Sequence, residues 1–478
     1  MLMGAHVCLT ASSYVVAVLL ARGLGPPGYG VYGIIYSVLL GVELIGRLGI
    51  PQAVSKLVAE REGDSRGIEA AGITSTSLLY LVIFTAFWLL SEQLASLFQV
   101  EDGGALFRIA ALDIPFYGLY FICSHILNGR RNFAAESVGL IVYSVARVVG
   151  ITLLLGTGIS VAGALLVNVA ASVLGLTFVA TLVGRQSFHP TVRDHRPILA
   201  LAVPIGLFAL GSQGLLSMDL WVLNALGSGV APETKGLYVA AMNLARIPNI
   251  MAFVASAVLI PSVSRAFAQK DFAVARQTTR NSVRVLLIAI VPICGLIAVR
   301  AASVMELVFS ESYRGGAGFL SVLVVAHGFC FTASMVFSGI LIASGHARQA
   351  ATLSLALLPL SMIFCAVLVV LKGAEGAALA ALSATSLGAF LAGGMVHRWV
   401  TPIFFPGVYV RIIAASLLIC VLAALVPLEG IWFAAAMVGV GVVYLAVLPV
   451  FGLLSREDLQ PFLPERFRSR EPSPTDPR

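Results

Sequence analysis

Apolar residues run along this 478-residue chain in blocks of about twenty, separated by short clusters of Gly, Pro and charged residues. A bilayer core of ~30 Å takes about 20 helical residues at ~1.5 Å each to cross. Blocks of that length lie near residues 3–22, 30–50, 70–95, 106–127, 137–156, 160–183, 198–226, 236–260, 284–306, 317–343, 351–371, 375–396, 409–427 and 430–453. They predict an all-α polytopic membrane protein with about 14 transmembrane helices. The first block has no basic region before it and no cleavage site after it, so it is expected to be a retained helix and not a signal peptide. Between the first two blocks, Gly23, Gly25, Pro26, Pro27, Gly28 and Gly30 predict a tight turn. Pro lacks a backbone donor and Gly tolerates turn dihedrals. Tyr29 and Tyr32 follow, where an amphipathic ring is expected at the membrane–water boundary.

The same design returns about two hundred residues later. Leu226-Gly227, a short turn and Gly236-Leu237-Tyr238 echo Leu24-Gly25, a short turn and Gly30-Val31-Tyr32. Ile260-Pro261 answers Ile50-Pro51, and Ser344-Gly345-His346 answers Asn128-Gly129-Arg130. Three echoes in one order predict two homologous halves with a substrate site between them, an arrangement common in transporters. The boundaries that follow are a six-helix lobe over 1–183, a linker over 184–197, a second six-helix lobe over 198–396, an appended hairpin over 409–453 and a Pro-rich tail over 454–478, expected to be largely disordered. Interior prolines at Pro115, Pro204, Pro248, Pro292, Pro359 and Pro449 mark candidate kinks.

Composition agrees with the pattern: 59% of residues are hydrophobic, 11% are charged and mean hydropathy is +0.97, against roughly a quarter charged in soluble domains. The net charge of +7 is not a nucleic-acid signature, because its distribution is lopsided. Of 30 Lys and Arg, 21 fall on one side of the alternating loops, which the positive-inside rule makes cytoplasmic. Both termini are then cytoplasmic, the span count is even, and the basic loop after span eight suits anionic membrane lipids. The loop SKLVAEREGDSRGIEA after span two predicts a short surface helix with a solvated face. The six cysteines all fall inside spans with neither disulfide nor metal spacing, and no GxxxxGK[ST] loop is present for ATP.

Ionisable groups inside spans carry the chemistry, since each costs at least ~2.5–3.5 kcal/mol in lipid unless it faces protein or water. Arg47, Arg108, Arg147 and Arg246 are the basic ones and Glu43, Asp113 and Asp219 the acidic ones. Glu43 and Arg47 are one helical turn apart, either as a self-neutralising pair or with Arg47 offering its planar donor fork to a phosphate. Arg246 lies on the counterpart helix, flanked by Asn243 and Asn249. Two equivalent helices with one Arg each would place positive charge on both walls of a central cavity, suiting a pyrophosphate. Arg147 either extends that wall or snorkels, and Arg108 is expected to snorkel at the outer end of span four. Asp219 is expected either to pair with an Arg of another helix or to titrate with a bound cation or proton. His125 and His327 are expected to be hydrogen-bonded packing residues, and Glu101-Asp102 a helix-end cap.

LLARGLGPPGYGVYGIIYSVL and MDLWVLNALGSG with the following KGLY resemble the first-turn and mid-chain patterns of the polysaccharide-unit flippases in the multidrug/oligosaccharidyl-lipid/polysaccharide exporter superfamily. The similarity extends over the whole chain. It implies a V-shaped bundle that moves a polyprenyl-pyrophosphate-linked oligosaccharide across the cytoplasmic membrane, with Arg47, Arg147 and Arg246 at the pyrophosphate. It implies no enzyme and no cofactor, coupling to a proton or sodium ion through Glu43 or Asp219, and a polysaccharide polymerase and glycosyltransferases as partners. The short polar leader usual in relatives is missing, as expected of a truncated or mis-started reading frame.

The resemblance leaves open a lipid II flippase and a cation-coupled exporter of organic cations. The second would want net acidic cavity walls, whereas this chain has more intramembrane Arg than acids. A membrane polysaccharide polymerase is the competing enzyme class. It needs a sizeable external loop with carboxylates, and the external links LFQVEDGGAL, GTGIS, GSGVAPETKG and FSESYRGGAG are short.

Overall fold

The computed structural model describes residues 2–46, 49–61, 65–188, 195–250, 263–267, 269, 271–403, 406–425 and 430–453. Arg47, the echo at Ile260-Pro261 and the tail 454–478 lie outside the described residues. The chain is an all-helical multi-pass membrane protein, with no strand among the described residues. Nine helices there are long and apolar enough to cross a membrane, and two shorter apolar ones cover Gly214–Leu226 and Trp432–Val447.

Two of the long helices are cornered. α1 (Leu2–Gly46) leaves helical geometry at Gly25, with φ 67° and ψ 173°. Only glycine takes such a conformation without strain, and Pro26 and Pro27 cannot donate to the turn before them. The expected turn is therefore present, compressed to a single corner. The 53-residue helix Ala347–Trp399 turns in the same way at Gly373, with φ 59°. At ~1.5 Å per residue it would otherwise be about 80 Å long, more than twice the apolar thickness available.

Span two ends earlier than the hydropathy suggests. Gly49 is left-handed (φ 72°) and α2 (Ile50–Glu60) starts with Pro51 in its first turn, where a missing N–H costs nothing. This is the expected short helix, but it is not simply solvated: Ile50, Ala53, Val54 and Val58 are buried. α3 (Arg66–Leu89) follows, then α4 (Ser91–Leu97). The fourth block crosses as one helical span over Gly103–Gly129, in which α5 (Gly103–Ala111) and α6 (Asp113–Gly129) meet at Leu112 with helical dihedrals and a local gap in the hydrogen-bond ladder. Asp113 and Pro115 thereby fall in a first turn, where carboxylates are favoured and no donor is required.

α7 (Phe133–Thr157) and α8 (Val161–Val183) complete the first half. α9 (His195–Leu226), α10 (Pro232–Ala245), α11 (Phe272–Val299) and α12 (Ala301–Val308) open the second. α13 (Ala317–Leu323) runs through a π-helical turn at Val324–Phe331 into α14 (Thr332–Ala343). The cornered α15 (Ala347–Trp399) precedes α16 (Pro406–Leu425) and α17 (Gly430–Val447). This last hairpin packs on α11, where the Tyr444 hydroxyl donates to the Ile288 carbonyl at 2.7 Å.

The core is joined at one end and divided at the other. Near the corners, one apolar cluster mixes Leu20, Ile35 and Phe107 with Tyr238, Phe309, Leu320 and Ala377. At the opposite end, Val54, Tyr120 and Val179 form one cluster, joined by Ile198 and Ala202 from the start of α9, and Val283, Ile340 and Val396 form another. The joined end is tied by Arg22, which donates to the carbonyls of Val308 at 3.0 Å and Leu307 at 2.8 Å, and by the Tyr313 hydroxyl on the Ala21 carbonyl at 2.8 Å. Here α1 crosses α10 at Gly30 and Gly236, and a Cβ on Gly30 would stand 2.8 Å from the Pro232 carbonyl oxygen. Close backbone approach through small residues is a usual way for helices to associate in lipid, where burial alone gives no preference for protein. At the divided end an ion pair locks α3 to α6: the exposed Arg130 donates to the buried Glu69 at 2.8 and 2.5 Å, and the Ser187 hydroxyl to Glu69 at 2.6 Å.

Candidate functional site

A cavity of about 430 Å³ lies between the halves just below the joined core. Both arms of α1 form one wall, α6 and α7 a second, and α10 the third. Arg147, Arg246, Asn243 and Glu43 all line it, together with Asp113. The four residues expected from sequence come to this cavity from three separate stretches of chain.

Arg147 is 5% exposed and held on all sides. Its Nε donates to Asn168 Oδ1 at 3.0 Å and a terminal nitrogen reaches the Tyr36 hydroxyl at 3.4 Å. Its guanidinium carbon stands 5.7 Å from the ring centres of both Tyr36 and Tyr143, close enough for cation–π attraction. Asn168 in turn donates to the Tyr32 hydroxyl at 3.0 Å. An Arg has five N–H donors in a fixed fork, so this clamp fixes the cation while leaving donors over for a guest. The reading in which Arg147 snorkels does not describe this residue. Its stem is short of any interface because α7 carries it beside α1 and α8 in the protein interior.

Arg246 is held differently. One terminal nitrogen donates to the Leu216 carbonyl and lies 3.2 Å from Met242 Sδ. Its Nε is buried without a hydrogen-bond partner. Asn243, one turn earlier, donates to the Tyr29 hydroxyl at 2.8 Å and so ties the halves across the cavity. Tyr29, Tyr32 and Tyr36 form a stack along α1, with ring centres 6.5 and 5.4 Å apart.

Several expectations need correcting. Tyr29 and Tyr32 are 1% and 5% exposed, packed in the shared core and not at a lipid boundary. The corner at Gly25 is so tight that the residues after it are already inside the bundle. Asn249 does not reach the cavity. It accepts a hydrogen bond from Thr332 at 2.6 Å, because the helix ends at Ala245 and the one-turn spacing that would align it with Arg246 is lost. Asp219 is also outside the cavity lining and its hydrogen-bond partner is no Arg. The Tyr238 hydroxyl donates to it at 2.6 Å and His327 Nε2 stands 3.6 Å away. His327 faces this carboxylate, and His125 lies against the Phe121 carbonyl at 3.0 Å and against the Phe121 ring. Asp102 occupies a helix N-cap position without capping through its side chain. Arg108 reaches outward to Glu92 at 2.9 Å.

Among the site residues not singled out from sequence are Tyr14, Tyr36, Tyr117, Tyr143 and Asn168. The 29, 32 and 36 spacing along α1 was a readable signal, since it places three rings on one helical face. With Arg47 outside the described residues, two cations and two carboxylates line the cavity. It can take an anionic group between Arg147 and Arg246 and an aromatic-stacking group beside the tyrosines. Among the described residues no group of three or more His, Cys, Asp or Glu could hold a metal ion.

Residues 1–267 match the family described as polysaccharide biosynthesis protein. Over 342 residues the chain is 23% identical to the stage V sporulation protein B of Bacillus subtilis (strain 168), a match covering 65% of each, so just under two thirds of that relative's length is spanned. It is 22% identical over 337 residues to the "Putative O-antigen transporter" of Shigella flexneri, covering 67% of this chain and 78% of that one. Among solved structures, the lipid II flippase MurJ in an inward closed conformation superposes with a TM-score of 0.79 at 16% identity, over 94% of this chain and 98% of that one. An inward-facing multidrug resistance MATE family transporter of the MOP superfamily gives 0.69 at 16% identity, over 85% and 95%. At such identities the superpositions establish a shared fold.

Proposed function

Because the chain belongs to the polysaccharide biosynthesis protein family, we propose that it is a flippase for polyprenyl-pyrophosphate-linked oligosaccharide units. It carries them across the cytoplasmic membrane by alternating access, for cell-surface polysaccharide. The observation that carries this reading is the convergence of Arg147 and Arg246, from opposite halves, on one cavity. Arg is the side chain best matched to phosphate oxygens, through parallel N–H donors. The tyrosine stack suits the apolar faces of sugar rings, and the lipid tail stays in the bilayer.

In this reading the segments 1–183 and 198–396 are rocking lobes, 409–453 is an accessory hairpin, and the basic loops and both termini are cytoplasmic. A division of the core at one end and its fusion at the other supports a carrier caught with one end closed. The proposed partners are the lipid-linked oligosaccharide itself, the glycosyltransferases that make it and the polymerase that consumes it. In this reading Arg47 adds a further guanidinium for the pyrophosphate, and Glu43, in the lining, orients it.

The test is translocation of a fluorescent polyprenyl-pyrophosphate sugar in proteoliposomes. Arg147→Ala with Arg246→Ala should lower the rate at least tenfold, and unchanged translocation in the double variant overturns the proposal. Glu43 and Asp113 in the lining favour one second reading, export of organic cations. Efflux of a cationic dye by the wild type, lost in Glu43→Gln, would decide for it.

A further inference from the structure

The cavity is lined unevenly. Its second-half wall carries Arg246, Asn243, Met242 and Val239, and among the described residues neither a carboxylate nor a ring. Every acid and every ring in the lining comes from the first half. On α6, Asp113 and Tyr117 are one helical turn apart and both face the cavity; on α7 the same holds for Tyr143 and Arg147. The Tyr117 and Tyr143 ring centres are 5.8 Å apart with planes tilted by 60°. They make an aromatic corner, which Tyr36 closes from α1. Asp113 stands beside this corner, 3% exposed and within electrostatic reach of Tyr143 and Arg147.

Nothing in the pyrophosphate reading uses Asp113. A negative charge in the wall weakens the hold of the cavity on a polyanion. Fixing Arg147 does not require it either, since Asn168 and Tyr36 already hold that guanidinium. A carboxylate offers about four acceptor sites, more than one neighbouring cation fills. Aromatic faces beside a carboxylate are, however, the chemistry that takes a pyranose. The rings pack on the apolar C–H face of the sugar, and the carboxylate accepts from its hydroxyl or acetamido N–H groups. A sugar bearing its own carboxylate would set two like charges side by side in a site of low dielectric, where repulsion is strong.

We propose that Asp113, Tyr117 and Tyr143 form the seat of the sugar joined directly to the pyrophosphate, and that this seat selects an uncharged sugar, a hexose or N-acetylhexosamine, over a uronic acid. The pyrophosphate lies between Arg147 and Arg246. The first sugar ring rests in the corner of Tyr117 and Tyr143, with one hydroxyl or amide group donating to Asp113. Selection follows from the sign of the wall: an uncharged ring gains an acceptor there, whereas a uronate meets a charge like its own. This rests on the pyrophosphate reading of the two arginines and adds to it the class of the first sugar.

Calorimetric titration of the detergent-solubilised full chain with three probes tests this: farnesyl pyrophosphate, and the same lipid pyrophosphate carrying N-acetylglucosamine or glucuronic acid. The wild type should bind the N-acetylglucosamine probe at least about tenfold more tightly than the bare one, which is the worth of one hydrogen bond to a charged group. It should bind the glucuronic acid probe no more tightly than the bare one. Equal affinity for the two sugar probes overturns the proposal. D113N keeps the shape and one acceptor without the charge, so the two sugar probes should come within about threefold of each other. A factor common to all three probes in D113N would make Asp113 only a support of Arg147, and its place in the seat is lost. Y117L should remove most of the gain from N-acetylglucosamine and Y117F, which keeps the ring, should retain it; equal loss in both refutes the stacking. Each variant is read against its own affinity for the bare probe, so a poorly folded preparation cannot pass for lost selectivity. If the wild type binds none of the three, the flippase reading and the seat fall together. If it binds the bare probe and gains nothing from either sugar, the seat alone falls.

Discussion

Gly30 and Gly236, equivalent positions in the two echoing turns, lie directly against one another: a Cβ on Gly30 would stand 2.9 Å from the Gly236 nitrogen, and one on Gly236 would overlap the Pro26 carbonyl. Two related motifs thus meet as a self-complementary contact where the halves join, much as a two-fold interface apposes one patch with its own copy. Their lack of side chains is what lets α1 and α10 come so near.

Gly236→Ala should therefore spread the helices at the joined end. Overpacking of a tight contact costs about 1–3 kcal/mol, so the melting temperature of the purified protein should fall by several degrees. Gly394→Ala is the control, since nothing lies within 4 Å of its added Cβ and Ala is the better helix former. Equal melting temperatures for the two variants would refute the close crossing.

Asn168 is the support on which the Arg147 clamp depends. Asn168→Leu keeps the volume but orphans the buried Arg147 Nε and removes the donor to Tyr32. A loss of about 1–3 kcal/mol is expected, with weaker cargo binding because the cation is no longer held in place. Denaturation and binding are measured side by side; an intact protein with unaltered affinity would show that Arg147 is positioned by something else.

At Arg246 the geometry of the charge should matter as well as its sign. Hydrogen bonds to charged groups contribute about 1.5–3 kcal/mol, or roughly tenfold or more in affinity. Arg246→Ala should weaken farnesyl pyrophosphate binding by that factor. Arg246→Lys should recover only part of it, because an ammonium is a point charge without the planar fork. Full recovery by Lys would point to simple attraction without paired donors.

The two ion pairs at the divided end should differ sharply in worth. Glu69 is fully buried and accepts from Arg130 and Ser187, and hydrogen bonds to a charged group contribute about 1.5–3 kcal/mol, although the exposed Arg130 is left facing solvent when Glu69 is removed. The Lys56 and Glu60 pair is more than half exposed on both sides at 3.8 Å, and such pairs contribute about 0–1 kcal/mol. Glu69→Ala should lower the unfolding midpoint markedly and Glu60→Ala hardly at all. Comparable losses would mean that the divided end is held mainly by its apolar clusters.

Helices, corners and intramembrane charges were legible because each has a local signature: run length, Gly-Pro clusters, or an Arg where none is cheap. Which way an apolar face points was not, because in a membrane protein both lipid and protein interior select the same residues. Tyr29 and Tyr32 illustrate this, since a ring beside a turn fits a lipid boundary and a buried stack equally well by sequence. The junction at Leu112 and the π-helical turn at His327 were not read for a related reason: Pro115 and Gly328 stand beside them, but Gly and Pro are frequent in membrane helices that continue without interruption. Asp219 was expected to pair with an Arg or to titrate with an ion, whereas its hydrogen bond comes from Tyr238 and His327 faces it, 19 and 108 residues away in sequence, beyond any spacing rule.

The ties at the joined end are of two kinds, and a state open there must undo both. Arg22 grips the end of α12 from an exposed position, so its bonds can be exchanged for water as they break. The Tyr29 hydroxyl and the Asn243 amide face the cavity, and a hydrated guest could take over their partners one at a time. The buried aromatic contacts behind them have no such substitute. Unlatching would thus proceed from its wet ends inward, with cargo in the cavity as one of the solvents.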